Sequence, residues 1–428
     1  MSTHSLPPAA LAWLVWGLGA ALYFIAFYHR VAPAVLVQEL TREFSLSGAG
    51  LGNLSAFYFY SYVAIQIPTG LLADRWGPRR LLTAGATLTA AGTLLFALAP
   101  SPWVANAGRM VIGAAAGVAF VAMLKLASHW MPARQFALAS GMALFVGVVG
   151  ATLAGAPLRV AADAFGWRGV MAASAAFTAA VAIAIWLVVR DDPAERRYAS
   201  YFPDDPGAAH GSVWSDLRQV LGYRNTWLLY FIPGGISSVA LMFGGLWGVP
   251  FLTLHYGYST AEAAALMSLL LVAWSASSIA CGPISQKLGS RKAPYAAGVA
   301  ATLVLWALIV WVPGWSRPVL TALIVAVGMT SSVFVLGFAF AKESVPPRYA
   351  GTVSGIANMG VMTGGMVMQP LVGWVLDRNW SGAVTAGGGR LYDLSAFQQA
   401  FSLVFVWGAV SLALLACAHE THCRQRLR

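Results

Sequence analysis

Arg30 lies inside an apolar stretch, seven residues after Tyr23, three after Phe27 and directly behind His29. At helical spacing Tyr23, Phe27 and Arg30 fall at i, i+4 and i+7 and share one face, with Pro33 a turn further on to bend the backbone. A guanidinium between aromatic rings is chemistry for holding an anion: the ring faces favour the cation, and the cation supplies donors to a carboxylate or phosphate. A charge deep in hydrocarbon costs roughly 2.5–3.5 kcal/mol on the lenient insertion scale, so something must compensate for it. Either Arg30 faces a binding cavity or its long side chain snorkels to the outer surface. His29 can titrate near neutral pH, which makes it the candidate proton carrier. A neutral histidine satisfied by a hydrogen bond is the alternative.

The elements that must position these groups are membrane helices. With 59% hydrophobic and only 10% charged residues in 428, the composition is that of an integral all-α membrane protein. Each crossing takes about 20 apolar residues. Twelve spans are expected, at 11–37, 49–72, 81–99, 105–128, 136–157, 168–189, 225–253, 262–283, 293–313, 318–341, 351–375 and 398–418. Six fall before a polar stretch and six after it, giving a first bundle at 1–189, a cytoplasmic linker at 190–222 and a second bundle at 223–428. Within the linker, Val213 to Leu221 has the apolar spacing of a surface helix. The stretch Ser381–Arg390, with its glycine run, reads as a flexible connector.

The net charge of +11 would raise nucleic-acid binding in a soluble protein, but its distribution points to topology. Arg190, Arg196, Arg197, Lys292, Lys342 and Arg424, with the basic residues of the turns described next, fall on the even-numbered connections, the linker or the tail. Arg42, Arg159, Arg168, Arg317, Arg378 and Arg390 fall on the opposite side. The bias places both termini in the cytoplasm and the protein in the cell (inner) membrane. Met1 to Ala9 lacks the basic region and cleavage site of a signal peptide, so the first span is expected to be retained. Cys281, Cys417 and Cys423 show no metal-ligand spacing and are expected to be free thiols. No Walker-type phosphate loop is present, which excludes an ATP-driven pump in this chain alone. No enzyme activity, metal, cofactor or nucleic-acid partner is expected, and the expected state is a monomer.

Between the second and third spans runs Gly70-Leu71-Leu72-Ala73-Asp74-Arg75-Trp76-Gly77-Pro78-Arg79-Arg80. Its glycines permit a tight turn, its arginines anchor to an anionic leaflet, and Asp74 can pair with a cation or cap a helix. A related turn recurs at Gly282-Pro283-Ile284-Ser285-Gln286-Lys287-Leu288-Gly289-Ser290-Arg291-Lys292. Met131-Pro132-Ala133-Arg134 is likewise echoed by Val345-Pro346-Pro347-Arg348, so the chain is a tandem repeat.

Gly70 through Leu82 resembles the signature of the major facilitator superfamily, Gly-x-Leu-Ala-Asp-Arg-x-Gly-Arg-Lys-x-x-Leu, departing at Pro78 and conservatively at Arg79. With twelve spans and a degenerate second copy, the resemblance covers essentially the whole chain. It implies two six-helix bundles related by a pseudo-two-fold axis, with substrate bound between them. It also implies that Asp74 contacts the start of helix eleven and Arg134 when the cytoplasmic side is closed. Gly70, Arg75, Gly77, Arg79 and Arg80 would complete that gate, and Gly282, Lys287, Gly289, Arg291 and Arg348 its counterpart. Gln286 replaces the acid in the second copy, which would lack the charged latch.

Tyr28 to Ala34 looks like the first helix of the organic-anion branches, where an arginine grips the anion. Lys125 falls where those branches carry a basic residue in helix four; it would bracket a carboxylate or phosphate with Arg30, or simply snorkel. Arg109 in Gly108-Arg109-Met110-Val111-Ile112-Gly113 resembles a helix-four motif tied to proton coupling or to packing. Where the anion:proton symporters carry acids, this chain has His29 and Ala116. The leading expectation is a secondary transporter of a small organic anion, a symporter or antiporter coupled to a proton or a counter-anion. The alternatives are a proton-coupled exporter of a hydrophobic or drug-like compound and a membrane solute sensor.

Overall fold

Apolar runs of membrane length fold as helices here because a helix satisfies its own backbone groups where water cannot. The computed structural model describes residues 5–201, 213–384 and 389–425, and the side chains of residues 70, 71, 74, 133, 134, 137, 140, 141, 213, 214 and 216 lie outside the described residues. Among the described residues the only strand-like feature is an isolated bridge between Val384 and Arg390.

The helices follow in order α1 (Ala9–Val31), α2 (Val37–Phe44), α3 (Gly48–Ala97), α4 (Pro102–Ala116), α5 (Ala119–Trp130), α6 (Ala133–Leu153), α7 (Ala156–Phe165) and α8 (Trp167–Val188). The short α9 (Val213–Val220) realises the amphipathic stretch before the second half. There follow α10 (Arg224–Ser238), a π-helical segment Val239–Trp247, α11 (Gly248–Tyr256), α12 (Thr260–Leu288), α13 (Lys292–Trp311), α14 (Arg317–Ser331), α15 (Leu336–Glu343), α16 (Ala350–Arg378), α17 (Leu394–Phe401) and α18 (Leu403–Cys417).

Eleven segments among the described residues are long and apolar enough to cross a membrane. The twelfth crossing is the part of α3 before Arg75. α3 holds 50 residues, about 75 Å at 1.5 Å per residue and more than twice the hydrocarbon thickness. It breaks at Gly77, whose φ of 77° and ψ of 156° are open to glycine and poor for other residues. The architecture is thus the expected twelve-helix membrane fold.

The fifth span ends later than the sequence reading placed it. The expected fifth span stopped at 157, which put Arg159 on a connection, but α7 continues the apolar segment to Phe165. Arg159 is buried there, pairs with Glu39 at 2.7 Å and donates to the Val35 carbonyl at 2.8 Å. Its charge is neutralised inside the protein and carries no topological signal.

The chain divides into two compact units. The first comprises Met1–Arg30, Tyr60–Leu153 and Ala161–Gly211, and the second Val31–Phe59, Ala154–Val160 and Ser212–Arg428. In the first, Trp16, Leu82, Met123, Leu126, Trp130 and Ile185 belong to one buried cluster. Lipid is as apolar as such a core, so helices associate by close packing more than by the hydrophobic effect. Gly150 serves this directly, since a Cβ there would collide with the Phe24 carbonyl and hold α6 off α1.

The second unit is organised by aromatic rings. Phe243 meets Trp306 edge-on at 5.1 Å and Phe401 at 5.6 Å, and Phe251 meets Phe397 at 5.5 Å. The π segment is braced from α16: Gln369 donates from Nε2 to the Leu241 carbonyl at 2.8 Å, and Trp247 Nε1 donates to the Gln369 carbonyl at 3.0 Å. α12 has local signals at both ends, a Ser259–Glu262 capping box and a left-handed Gly289.

Candidate functional site

The aromatic face expected on the first span is formed, within the first unit. Arg30 sits in the last turn of α1, 4% exposed, with its guanidinium carbon 4.2 Å from the centre of the Phe27 ring and 5.3 Å from that of Tyr62. Tyr23 meets Phe27 edge-on at 4.9 Å and lies 5.3 Å from Phe120. Gly147 of α6 makes room, because a Cβ there would stand 3.1 Å from both the Phe27 and Tyr23 rings. Tyr62, Phe120 and Gly147 come from other helices, so no spacing along α1 could have named them.

His29 is held apart from this aromatic face, with Arg109 of α4 bonded to its carbonyl. His29 is buried; its Nε2 lies 3.1 Å from Thr93 Oγ1 and 3.4 Å from Ser174 Oγ. The equally buried Arg109 donates from its NH1 to the His29 carbonyl at 2.6 Å. In a continuing helix that carbonyl would accept from the N–H of residue 33, which is proline and has none. Arg109 therefore supplies the donor that Pro33 lacks and fixes the end of α1.

Lys125 is carried elsewhere, to the Ala73 carbonyl at 3.3 Å. The Gly70–Arg80 turn is fastened to the start of the linker. The Arg79 N–H donates to Asp191 Oδ1 at 2.6 Å, and its guanidinium donates to the Trp186 carbonyl at 2.8 and 3.2 Å while lying 4.1 Å over the Trp186 ring. A Cβ on Gly77 would collide with the Asp191 carboxylate. Burial pushes the Asp191 carboxyl up, against the lowering effect of the Arg79 hydrogen bond. Beside it, His129 Nδ1 lies 3.0 Å from Asp192, and Trp130 donates to the Arg190 carbonyl at 3.0 Å. Arg75 and Arg80 are exposed. The side chains of Asp74 and Arg134, and position 70, lie outside the described residues, so the expected Asp74–Arg134 latch does too.

The related turn of the second unit bonds to acids from outside the motif. Arg291 is 4% exposed and makes two bonds to Glu343, at 2.7 and 3.2 Å, and one to Ser285 at 3.0 Å. Glu420 accepts from Ser290 Oγ at 2.6 Å and from the N–H groups of Arg291 and Lys292 at 3.0 Å. Burial alone would raise the Glu420 carboxyl, but these bonds outweigh it and hold the group down at about 2. Gly289 ends α12, Lys287 is exposed, Gly282 has open space beside it, and Arg348 lies over the Tyr349 ring at 4.6 Å. The linker acids Asp191 and Asp192 and the tail acid Glu420 were legible only as solvated polar residues, because their partners are remote in sequence.

Comparison with known proteins bears on the whole chain. The probable sulfoacetate transporter SauU of Cupriavidus necator is 25% identical over 409 residues, covering 86% of this chain and 88% of that protein. The gentisate transporter of Corynebacterium glutamicum is 24% identical over 83% of this chain and 81% of its own. A solved bacterial homolog of the human lysosomal transporter Spinster shares the fold with a TM-score of 0.76 at 18% identity, covering 96% of this chain and 97% of that one. The family model described as Major Facilitator Superfamily matches residues 16–369. Twelve membrane helices, the glycine-broken turn at Gly77 and that match together make this chain an integral membrane transporter, and not an enzyme, that belongs to the Major Facilitator Superfamily.

Proposed function

We propose that the chain moves a small organic anion, a carboxylate or a phosphate-bearing metabolite, across the membrane by alternating access. The observation that carries this reading is Arg30, a guanidinium buried in the first span and stacked 4.2 Å over Phe27. A buried cation with aromatic neighbours favours an anionic cargo and disfavours a cationic one. Relatives named for sulfoacetate and gentisate, both organic anions, support the same reading. In it Tyr23 and Phe27 wall the site, and Lys125 is a second cation met toward the cytoplasmic end.

Transport is coupled to a proton or to a counter-anion, with His29 and Arg109 as the coupling candidates. Exchange of anions is the better supported of the two, since His29 is buried among neutral hydroxyls and Arg109 is engaged with the α1 backbone. The Gly70–Arg80 turn with Arg134, and its second copy with Arg348, gate the cytoplasmic side. The same reading takes 1–189 and 223–428 as the moving bundles, 190–222 as their linker, the inner membrane as the location, cytoplasmic termini and a monomer.

The test is thermal stabilisation of the purified protein by a panel of carboxylates, phosphates, sugars and lipophilic cations, followed by liposome flux with the ligand found. Stabilisation by one anion class, lost in Arg30→Gln, is the expected result. Stabilisation by lipophilic cations alone would overturn the anion reading and promote an exporter. Flux that requires an anion on the opposite side, at equal pH, would assign exchange.

A further inference from the structure

The start of α3 and the end of α16 are joined by one carboxylate. Asp377 Oδ1 accepts from the Gly48 N–H at 2.8 Å, and its Oδ2 accepts from the Ala49 N–H at 2.8 Å. Arg390 donates to Oδ1 at 2.8 Å and the Tyr392 hydroxyl at 2.6 Å, while that hydroxyl accepts from the Gly48 N–H at 2.9 Å. The first N–H groups of a helix have no partner within it. Locally, Ser47 already serves the third of them, accepting from Gly50 at 3.1 Å. The remaining two are capped by a residue more than 300 positions away.

The two helices also meet through glycines. A Cβ on Gly373 would collide with the Gly48 carbonyl, one on Gly52 with the Gln369 carbonyl, and one on Gly365 would stand 3.0 Å from the Phe59 ring. Gly48, Gly52, Ser55 and Phe59 lie at i, i+4, i+7 and i+11, one face of α3. Where helices meet backbone to backbone at glycines, they can part with less repacking of side chains. Beside it lies a cavity of about 250 Å3, lined in part by Arg42, Ser47, Gly48, Arg390 and Tyr392, with room for water to take over the freed N–H groups. Hydrogen bonds to an ionised carboxylate are strong enough to bias a two-state equilibrium without locking it.

We propose that Asp377 is a latch of the transport cycle: its carboxylate holds the α3 start against the α16 end, and its release is the opening step at that end of the protein. In the topology proposed above this is the outer side. The inference rests on alternating access but not on the identity of the cargo, so its test needs no substrate.

The experiment uses full-length, detergent-purified protein with Cys281, Cys417 and Cys423 replaced by serine. Two reporter positions are compared, Ser55→Cys on the α3 face and Ala122→Cys in the other unit, both fully buried. Asp377→Asn is expected to raise the maleimide labelling rate at position 55 by about tenfold and leave position 122 unchanged, and Tyr392→Phe to raise the first by a smaller factor. Unchanged labelling at position 55 would overturn the proposal. A parallel rise at both positions would also overturn it, by showing that Asp377 supports general stability instead. Neither result touches the anion reading.

Discussion

Arg109 donates to the main-chain carbonyl of His29 at 2.6 Å, in the place where Pro33 offers no N–H. A side chain of the fourth span thus completes the backbone bonding of the first. The bend at Pro33 and the charge at Arg109 are two halves of one device.

Removing Arg109 should therefore leave a buried carbonyl without its donor. Arg109→Leu is expected to destabilise the protein by about 1–3 kcal/mol. Pro33→Ala in that background restores an N–H and should recover part of the loss. Thermal unfolding of the two single variants and the double variant checks this, and strict additivity would show that the carbonyl is not the link.

Gly77 carries two constraints at once, a φ of 77° and the Asp191 carboxylate against its Cα. Gly77→Ala should cost about 1–3 kcal/mol through backbone strain and further through displacement of the linker. Limited proteolysis at residues 190–201 reads the second effect separately, with faster cutting expected in the variant.

Arg30→Lys keeps the charge but replaces the planar fork that stacks on Phe27. If Arg30 binds the anion, Lys should weaken apparent affinity by about tenfold while Gln abolishes binding. Ligand titration by thermal shift distinguishes the two, and equal affinity in Lys and wild type would show that stacking contributes nothing to the site.

Glu420 is held down from its ordinary 4.5 to about 2 by Ser290 and the N–H groups of Arg291, Lys292 and His422, which together outweigh its partial burial. A carboxylate lowered in the folded state gives stability that is fully present above its unfolded value and is lost as pH falls toward the folded one. Glu420→Gln should thus lower thermal stability at pH 7, with the gap to wild type narrowing as pH drops from 4.5 toward 2. A gap constant over that range would remove the charge from the account.

What could be read in advance follows the reach of the signal. Tyr23, Phe27 and Arg30 were legible as a face because one helix's periodicity decides it, and the break near Gly77 because two spans cannot fit in α3 without one. Tyr62 and Gly147 were not, since they come from neighbouring helices. Arg159 was placed on a connection because the expected fifth span stopped at 157, whereas a second helix, α7, starts at Ala156 and carries the apolar segment on to Phe165. No sequence signal singled out Asp191, Asp377 or Glu420, because the backbone N–H groups they accept from lie far away in sequence. At Gln286 the second turn lacks an acid of its own, and the acids it bonds to, Glu343 and Glu420, come from α15 and the tail.

The π segment Val239–Trp247 has a consequence for how this chain tolerates length change. Wider turns arise when an α-helix takes in an extra residue. Deleting one residue there would let the stretch relax to an α-helix with the later residues still facing roughly as before, whereas the same deletion in the regular helix before it would turn everything beyond by about 100° around the axis. In that second case Phe251 would leave its place against Phe397 and Phe401, and Trp247 would lose the Gln369 carbonyl. A change of length is absorbed inside the π segment and acts as a rotation outside it.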